Sequence, residues 1–400
     1  MARCPNVVEL TVGIRIGTIN VKVPCVPYQA GRSMFTLSDL LAAKRSLSNS
    51  LLDAGLRGQV IGRVAAATVA NAIASTDRNV HAIGIGRKLV HGKPTGDLCI
   101  RVYVVQKLAP SLIPPIFRIP AMIAGISTDV IESPPAFANA KKSASPAKPT
   151  KKAKAAAATP VAAAAGSCSV NRQLEQRPVV AGISAGHFQI TAGTIGCFCR
   201  STRPADNPAE VYLLSNNHVF ANVNQAAVGD DIYQPGPADG GTSTQVVARL
   251  ARFVPLELGG VRINHVDAAI ARLVNGVAHT SQICMIGAVA GVAVGTEGTA
   301  VKKHGRTSGF TEGVITDQSY DALVGMDHSD PSVVAKFEDQ IRIELVAPYS
   351  AFGLGGDSGS LVVNSSNQAV GLYFAGPPGG YYGIASPIAE VLSALEIAIL

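Results

Sequence analysis

The run Ala351-Phe352-Gly353-Leu354-Gly355-Gly356-Asp357-Ser358-Gly359-Ser360-Leu361-Val362-Val363 decides how this chain is read. A serine flanked by glycines on a tight turn presents an exposed hydroxyl beside free backbone N–H groups. The glycines let the backbone take positive φ and come close to a bound molecule. Acyl transfer needs this arrangement, because the nucleophile has to reach a carbonyl while donors wait where the oxyanion forms. A bare Gly-x-Ser-x-Gly is as often an ordinary surface turn. The longer string Gly-Asp-Ser-Gly-Ser followed by a Val-rich strand is much more specific.

Serine is a poor nucleophile without a base, so the chain has to supply a histidine and a carboxylate to orient it. His218 lies in Leu213-Leu214-Ser215-Asn216-Asn217-His218-Val219-Phe220, where an apolar strand ends in polar residues and then restarts. Asp267 lies in Val266-Asp267-Ala268-Ala269-Ile270-Ala271, a carboxylate inside an apolar run, and burying it is costly unless something pairs with it. His265 competes for the role of base, since residues two apart on a strand share a face. Asp230, Asp231 and Asp239 fall in a Gly/Pro-rich loop and read as turn formers, while His187, His279, His304 and His328 have no motif around them.

The order His218, Asp267, Ser358, with the strings SNNHVF, VDAAIARL and GGDSGS, resembles the trypsin-like (chymotrypsin-fold) serine peptidases. The likeness is to a bacterial branch similar to the narrow-leaf protein of plants. Its markers are YLLSNNHV, QPGPADGG, HGRTSGFTEGV, GDSGSLVV and GIGRKLVHGKPTGDLCIRVYV, spread from about Ile83 to Leu392. The resemblance implies two six-stranded antiparallel barrels with the site in the cleft between them. Ser358 is then the nucleophile, His218 the general base and acid, and Asp267 the residue that fixes the imidazole tautomer; the N–H groups of Gly356 and Ser358 form the oxyanion hole. By the same analogy Phe352, Phe374, Ala375, Gly376 and Gly383 line the primary pocket, and none is charged, which favours an uncharged or apolar side chain there. The expected activity is that of a serine endopeptidase on peptide or protein substrates, with no cofactor and no metal. Alternatives are an inactive binding or scaffold module of the same fold, or an esterase using the same three residues.

Four hundred residues exceed what one core usually supports. The chain divides into a small α+β part over 1–132, an Ala/Pro/Lys-rich linker over 133–171 and an all-β part over 172–400. The linker cannot bury enough apolar area to offset its chain entropy, and it is a candidate for self-cleavage. Residues 1–166 carry a net charge of +14 and residues 167–400 one of −7, so the two parts are suited to attract each other within one molecule or between subunits. A homo-oligomer is therefore an option; nucleic acid is disfavoured, because few aromatics interleave with the basic residues. The basic part reads as an inhibitory pro-segment, an assembly module or a substrate reader. No apolar run reaches membrane-spanning length and no secretory h-region is seen, so no membrane association and a cytoplasmic location are expected. Seven cysteines form no regular framework and read as free thiols, with Cys197 and Cys199 as core residues rather than half a metal site.

Locally, residues 7–27 alternate like strands, and 38–74 turn helical with Ser38 as N-cap and a break near 55–58. Strands are expected over 81–90, 97–107 and 123–131, the first two joined by a glycine- and proline-bearing loop at 91–96. A capped helix is expected over 388–400.

Overall fold

The computed structural model describes residues 7–14, 17–24, 35–52, 79–113, 118–138, 168, 170–327 and 333–400. Most of the expected linker, the second half of the expected helical stretch and His328 lie outside them.

The alternating start forms β1 (Val7–Ile14) and β2 (Gly17–Pro24), paired antiparallel. Leucines at helical spacing then form α1 (Leu37–Leu51). Its N-cap is Thr36, not Ser38: the Asp39 N–H donates to the Thr36 hydroxyl, and the Thr36 N–H donates to the Asp39 carboxylate at 2.8 Å. Aspartate at the third helical position makes this capping box, which a lone serine cannot match. β3 (Val80–Val90) and β4 (Lys93–Val104) follow, turning at His91-Gly92 with φ of 51° and 75°. That two-residue turn is shorter than the expected loop, because both strands run on to the pair Val90↔Lys93. The third expected strand is divided by a turn at Ala124-Gly125 into β5 (Met122–Ile123) and β6 (Ile126–Glu132), and β7 (Ala136–Phe137) comes next.

Thereafter the chain is mostly strand: β8 (Val179–Ala181), β9 (Ser184–His187), β10 (Gly193–Thr194), β11 (Cys197–Ser201) and β12 (Tyr212–Ser215) lead to a single turn, α2 (Asn217–Phe220). Then come β13 (Asp231–Tyr233), β14 (Val246–Phe253), β15 (Ile263–Asn264), β16 (Ala269–Leu273), β17 (His279–Ile283), β18 (Ala300–Gly305), β19 (Gly309–Gly325) and β20 (Val334–Leu345). The last elements are β21 (Leu361–Asn364), β22 (Ala369–Ala375), β23 (Tyr382–Pro387), α3 (Ile388–Leu395) and β24 (Ile397–Ile399). The C-terminal helix stops short of its expected end at Glu396, which has φ of 51°, and β24 then pairs with β11.

The double-barrel expectation holds for one half. Strands β20, β23, β22, β21, β18 and β19 form a closed six-stranded ring, because β19 pairs back onto β20. The other half is an open eight-stranded sheet in the order β10-β9-β13-β14-β16-β12-β11-β24. Its edge β10 meets the second half, where the Thr194 N–H donates to the Ser358 carbonyl at 2.8 Å. One apolar core fills the open sheet and another, built on Ile315, Ile343, Phe352, Val362 and Tyr373, fills the ring.

The N-terminal strands join the ring. β3 pairs antiparallel with β19 through Tyr320↔Gly84, Asp321↔Ile83 and Ala322↔Ala82, so they extend the ring's own sheet. Buried ion pairs reinforce the joint. Arg101 bonds Asp317 at 3.0 Å, and Lys44 of α1 bonds Asp321 at 2.5 Å and Asp339 at 2.6 Å. Burial pushes the Asp321 carboxyl up against the pull of Lys44. Lys44→Met, which strands that carboxylate, is expected to cost about 3–5 kcal/mol of stability in denaturant titration, with much of the loss recovered in Lys44→Met/Asp321→Leu. An unchanged midpoint in the single variant would remove the ion pair from the joint.

The cysteine expectation is corrected. Cys168 and Cys284 form a disulfide across 116 residues, a pairing that no local spacing announces. Cys99, Cys197 and Cys199 are free and buried, and burial pushes the Cys197 thiol up to about 12. Among the described residues no His/Cys/Asp/Glu group is arranged to hold a metal ion, and no helix is long and apolar enough to cross a membrane.

Candidate active site

His218 is fixed by local structure before any chemistry enters. β12 ends at Ser215, Asn216 takes an extended backbone, and the single turn α2 carries His218 inward. Asn217, itself buried, holds this turn, its side-chain amide donating to the Asn224 side chain at 2.8 Å and the Val254 carbonyl at 2.7 Å. Asp267 sits just before β16, which pairs with β12 through Ser215↔Ala269, so the sheet register brings carboxylate and imidazole together. His218 Nδ1 lies 2.5 Å from Asp267 Oδ2, and the His218 N–H donates to Oδ1 at 3.3 Å. The Asn216 amide clamps the Asp267 carbonyl at 2.7 Å. Both partners of the pair are fully buried. His265 does not share this bond: its side chain is exposed, and its carbonyl accepts from Gln340 at 2.8 Å.

The Ser358 turn is held on every side. Gly356 and Gly359 have φ of 96° and 95°, and a β-carbon on Gly356 would come 2.6 Å from the Thr307 hydroxyl, so no other residue fits without strain. The Thr194 hydroxyl donates to the Gly356 carbonyl at 2.9 Å and the Thr307 hydroxyl to the Gly355 carbonyl at 2.6 Å. Among the described residues, neither the Gly356 nor the Ser358 N–H has an acceptor. The two free donors flank Asp357, whose carboxylate accepts from Leu354 N–H at 2.8 Å, Thr307 N–H at 2.7 Å and the Ser308 hydroxyl at 2.6 Å. Lys303 Nζ stands 3.2 Å from it, both side chains fully buried. Burial alone would raise the Asp357 pKa, but the Lys303 charge and the donors outweigh it and hold the group below the ordinary carboxylate range.

β10 bridges the two halves of the site. A β-carbon on Gly193 would run into the Val219 side chain and come 3.1 Å from the Ser358 carbonyl, so the His218 turn and the serine turn both close on the side of this glycine where a side chain would stand. The Ser358 hydroxyl is not the exposed group expected from the turn: the residue is 2% exposed, and its Oγ donates to the Phe374 carbonyl at 3.2 Å. His218 Nε2 is buried and has no partner among the described residues.

The Peptidase S7 family model, described as Flavivirus NS3 serine protease, matches residues 352–380. That span contains the Ser358 turn and Phe374 to Gly376. No curated protein matches the chain. Among solved structures, Thermobifida fusca Protease A aligns at 16% identity and a TM-score of 0.38, over 56% of this chain and 98% of that one. Cellulomonas bogoriensis chymotrypsin aligns at 18% and 0.37, over 56% and 98%. A glutamic acid-specific serine protease aligns at 18% and 0.38, over 56% and 100%.

The five expected pocket residues fall into two groups. Phe352 and Gly383 meet inside the ring, where a β-carbon on Gly383 would come 2.7 Å from the Phe352 ring. Phe374 and Ala375 face a separate cluster with Phe337 and Met326. Gly376, just past β22, bonds to β7. Sequence reasoning missed the Lys303–Asp357 pair, although Lys303 sits in the KKHGRTSG string. It also read Asp239 only as a turn former; Asp239 grips the Arg306 guanidinium with both oxygens, at 2.7 and 2.5 Å, and so braces the loop beneath the serine. His304, without a motif, is buried against the Gly182 carbonyl at 2.8 Å, and burial holds its pKa down to about 4.

Proposed function

We propose that the protein is a serine endopeptidase of the trypsin-like kind. The observation that carries this reading is the buried His218–Asp267 pair beside a serine turn that offers two unclaimed N–H donors. An imidazole held through Nδ1 by a carboxylate keeps Nε2 free to accept a proton. When the Ser358 hydroxyl turns from Phe374 to His218, its proton passes to Nε2 and Oγ bonds the substrate carbonyl carbon. The carbonyl oxygen takes the negative charge, facing the Gly356 and Ser358 N–H groups. His218 then gives the proton to the leaving amine, and water releases the acyl group from Ser358 by the same steps. The stretch Phe374 to Gly376 at the end of β22, beyond its pairs with β21, suits an extended peptide better than a small ester, since main-chain pairing there aligns a scissile bond.

A fluorophosphonate probe is expected to label Ser358, with labelling lost in Ser358→Ala, and casein hydrolysis is expected to vanish with it. Hydrolysis of a small acyl ester but not casein would replace the reading by an esterase. A properly folded chain that never labels would leave only a binding module.

A further inference from the structure

The strand edge that an incoming peptide would need is already taken by this chain. Phe137 of β7 donates its N–H to the Gly376 carbonyl at 2.9 Å, and the Gly376 N–H donates back to the Phe137 carbonyl at 3.2 Å. This reciprocal antiparallel pair is what an added strand makes with a sheet edge. On its other side the segment runs parallel to β19, through Val324↔Ala136 and Gly325↔Phe137, and the Ala138 N–H donates to the Gly325 carbonyl at 2.9 Å. Successive amides thus point to opposite neighbours, as in a regular strand. Ala136 and Ala138 pack with Phe374 and Ala375, while Phe137 packs with Leu323 and Val334. The three are 1%, 3% and 0% exposed. The Tyr382 hydroxyl, donating to the Pro134 carbonyl at 2.7 Å, fixes the entry to the segment.

Antiparallel pairing sets the direction. Opposite Gly376 stands Phe137, and the step to Ala138 runs toward Phe374, whose carbonyl holds the Ser358 hydroxyl. The segment therefore approaches the serine as the acyl side of an extended substrate would. Nothing in the ring alone calls for a strand here; the N-terminal strands deliver it, docked through β3 on β19.

We propose that residues 136–138 are a built-in pseudosubstrate, which holds the β22 edge in the resting chain and keeps protein substrates from Ser358 until it leaves. The proposal rests on the peptidase reading above. A tethered strand competes at high effective concentration, so a free peptide displaces it only when the tether is loosened or the peptide pairs better. The substrates that fit the vacated edge are extended segments with small or apolar side chains.

Fluorophosphonate labelling of Ser358 in the full chain, followed by mass, tests this in two directions. Phe137→Ala removes the ring that anchors the segment, and labelling is expected to speed up at least about tenfold as the open population grows. In Phe137→Cys/Gly325→Cys the second thiol starts from a position against the Phe137 ring, so oxidation ties the segment to β19. Labelling is then expected to slow at least about tenfold and to recover with dithiothreitol. Wild type carried through the same treatment controls for Cys168–Cys284. Equal rates in wild type and in both redox states of the double variant would overturn self-inhibition while leaving Ser358 a nucleophile. No labelling of any variant with native circular dichroism would overturn the peptidase reading and the proposal together. Should Phe137→Ala fail to fold, the cross-linked pair alone decides.

Discussion

Asp267→Asn is expected to lower kcat for peptide hydrolysis by about 10⁴-fold while leaving the fold intact. The side chains have the same shape, and the site already fixes which end of the amide goes where. Asp267 Oδ1 accepts from the His218 backbone N–H at 3.3 Å, so an asparagine keeps its carbonyl oxygen there. Its NH₂ group then faces His218 Nδ1 in place of the Oδ2 that stands 2.5 Å away. Two donors cannot share one bond, so the imidazole must carry its proton on Nε2. That is the nitrogen the Ser358 hydroxyl needs as an acceptor. Without a carboxylate the imidazolium also loses its counter-charge in a site closed to water. KM should change little, because Asp267 is fully buried and reaches no substrate. A loss of less than about tenfold, with unchanged circular dichroism, would remove Asp267 from the chemistry.

The parts of this arrangement that the sequence reveals are those that must be local. The glycines at 356 and 359 announce a positive-φ turn because no other residue takes it cheaply, and an aspartate in an apolar run announces a partner. The run of short strands and the polar end of the strand before His218 are legible in the same way, whereas the closed ring is implied only by the family resemblance. What stayed hidden depends on which distant strands become neighbours. Lys303 and Asp357 are 54 positions apart and meet only because β18 pairs with β21 beside the serine turn. Cys168 and Cys284 are 116 positions apart, and neither carries a local mark of the other. The seat of Phe137 on Gly376 had no sequence signal at all, since Pro-Pro-Ala-Phe-Ala reads as the start of a linker.

Lys303→Met is expected to lower kcat by about 10²–10³-fold, the range seen when one oxyanion donor is lost, although Lys303 touches no substrate. Both donors belong to the peptide units around Asp357, so their aim depends on where that carboxylate is pinned. In the wild type its burial is offset by Lys303 at 3.2 Å and by the Leu354, Thr307 and Ser308 donors. A methionine fills the volume but leaves a buried carboxylate without its cation, at a cost of about 3–5 kcal/mol. The cheapest relief is to take up a proton or to swing the turn toward water, and either moves the Gly356 and Ser358 N–H groups. The pH dependence follows in sign. Asp357 has its folded pKa depressed, so it contributes stability above its unfolded pKa, and that contribution is lost as pH falls through the folded value. Removing Lys303 raises the folded pKa, so the acid loss of both Tm and kcat should begin at higher pH in the variant. Thermal melts and kcat measured over about pH 3 to 7 check this against a lysine that merely fills space, for which the acid limbs of the two proteins would coincide.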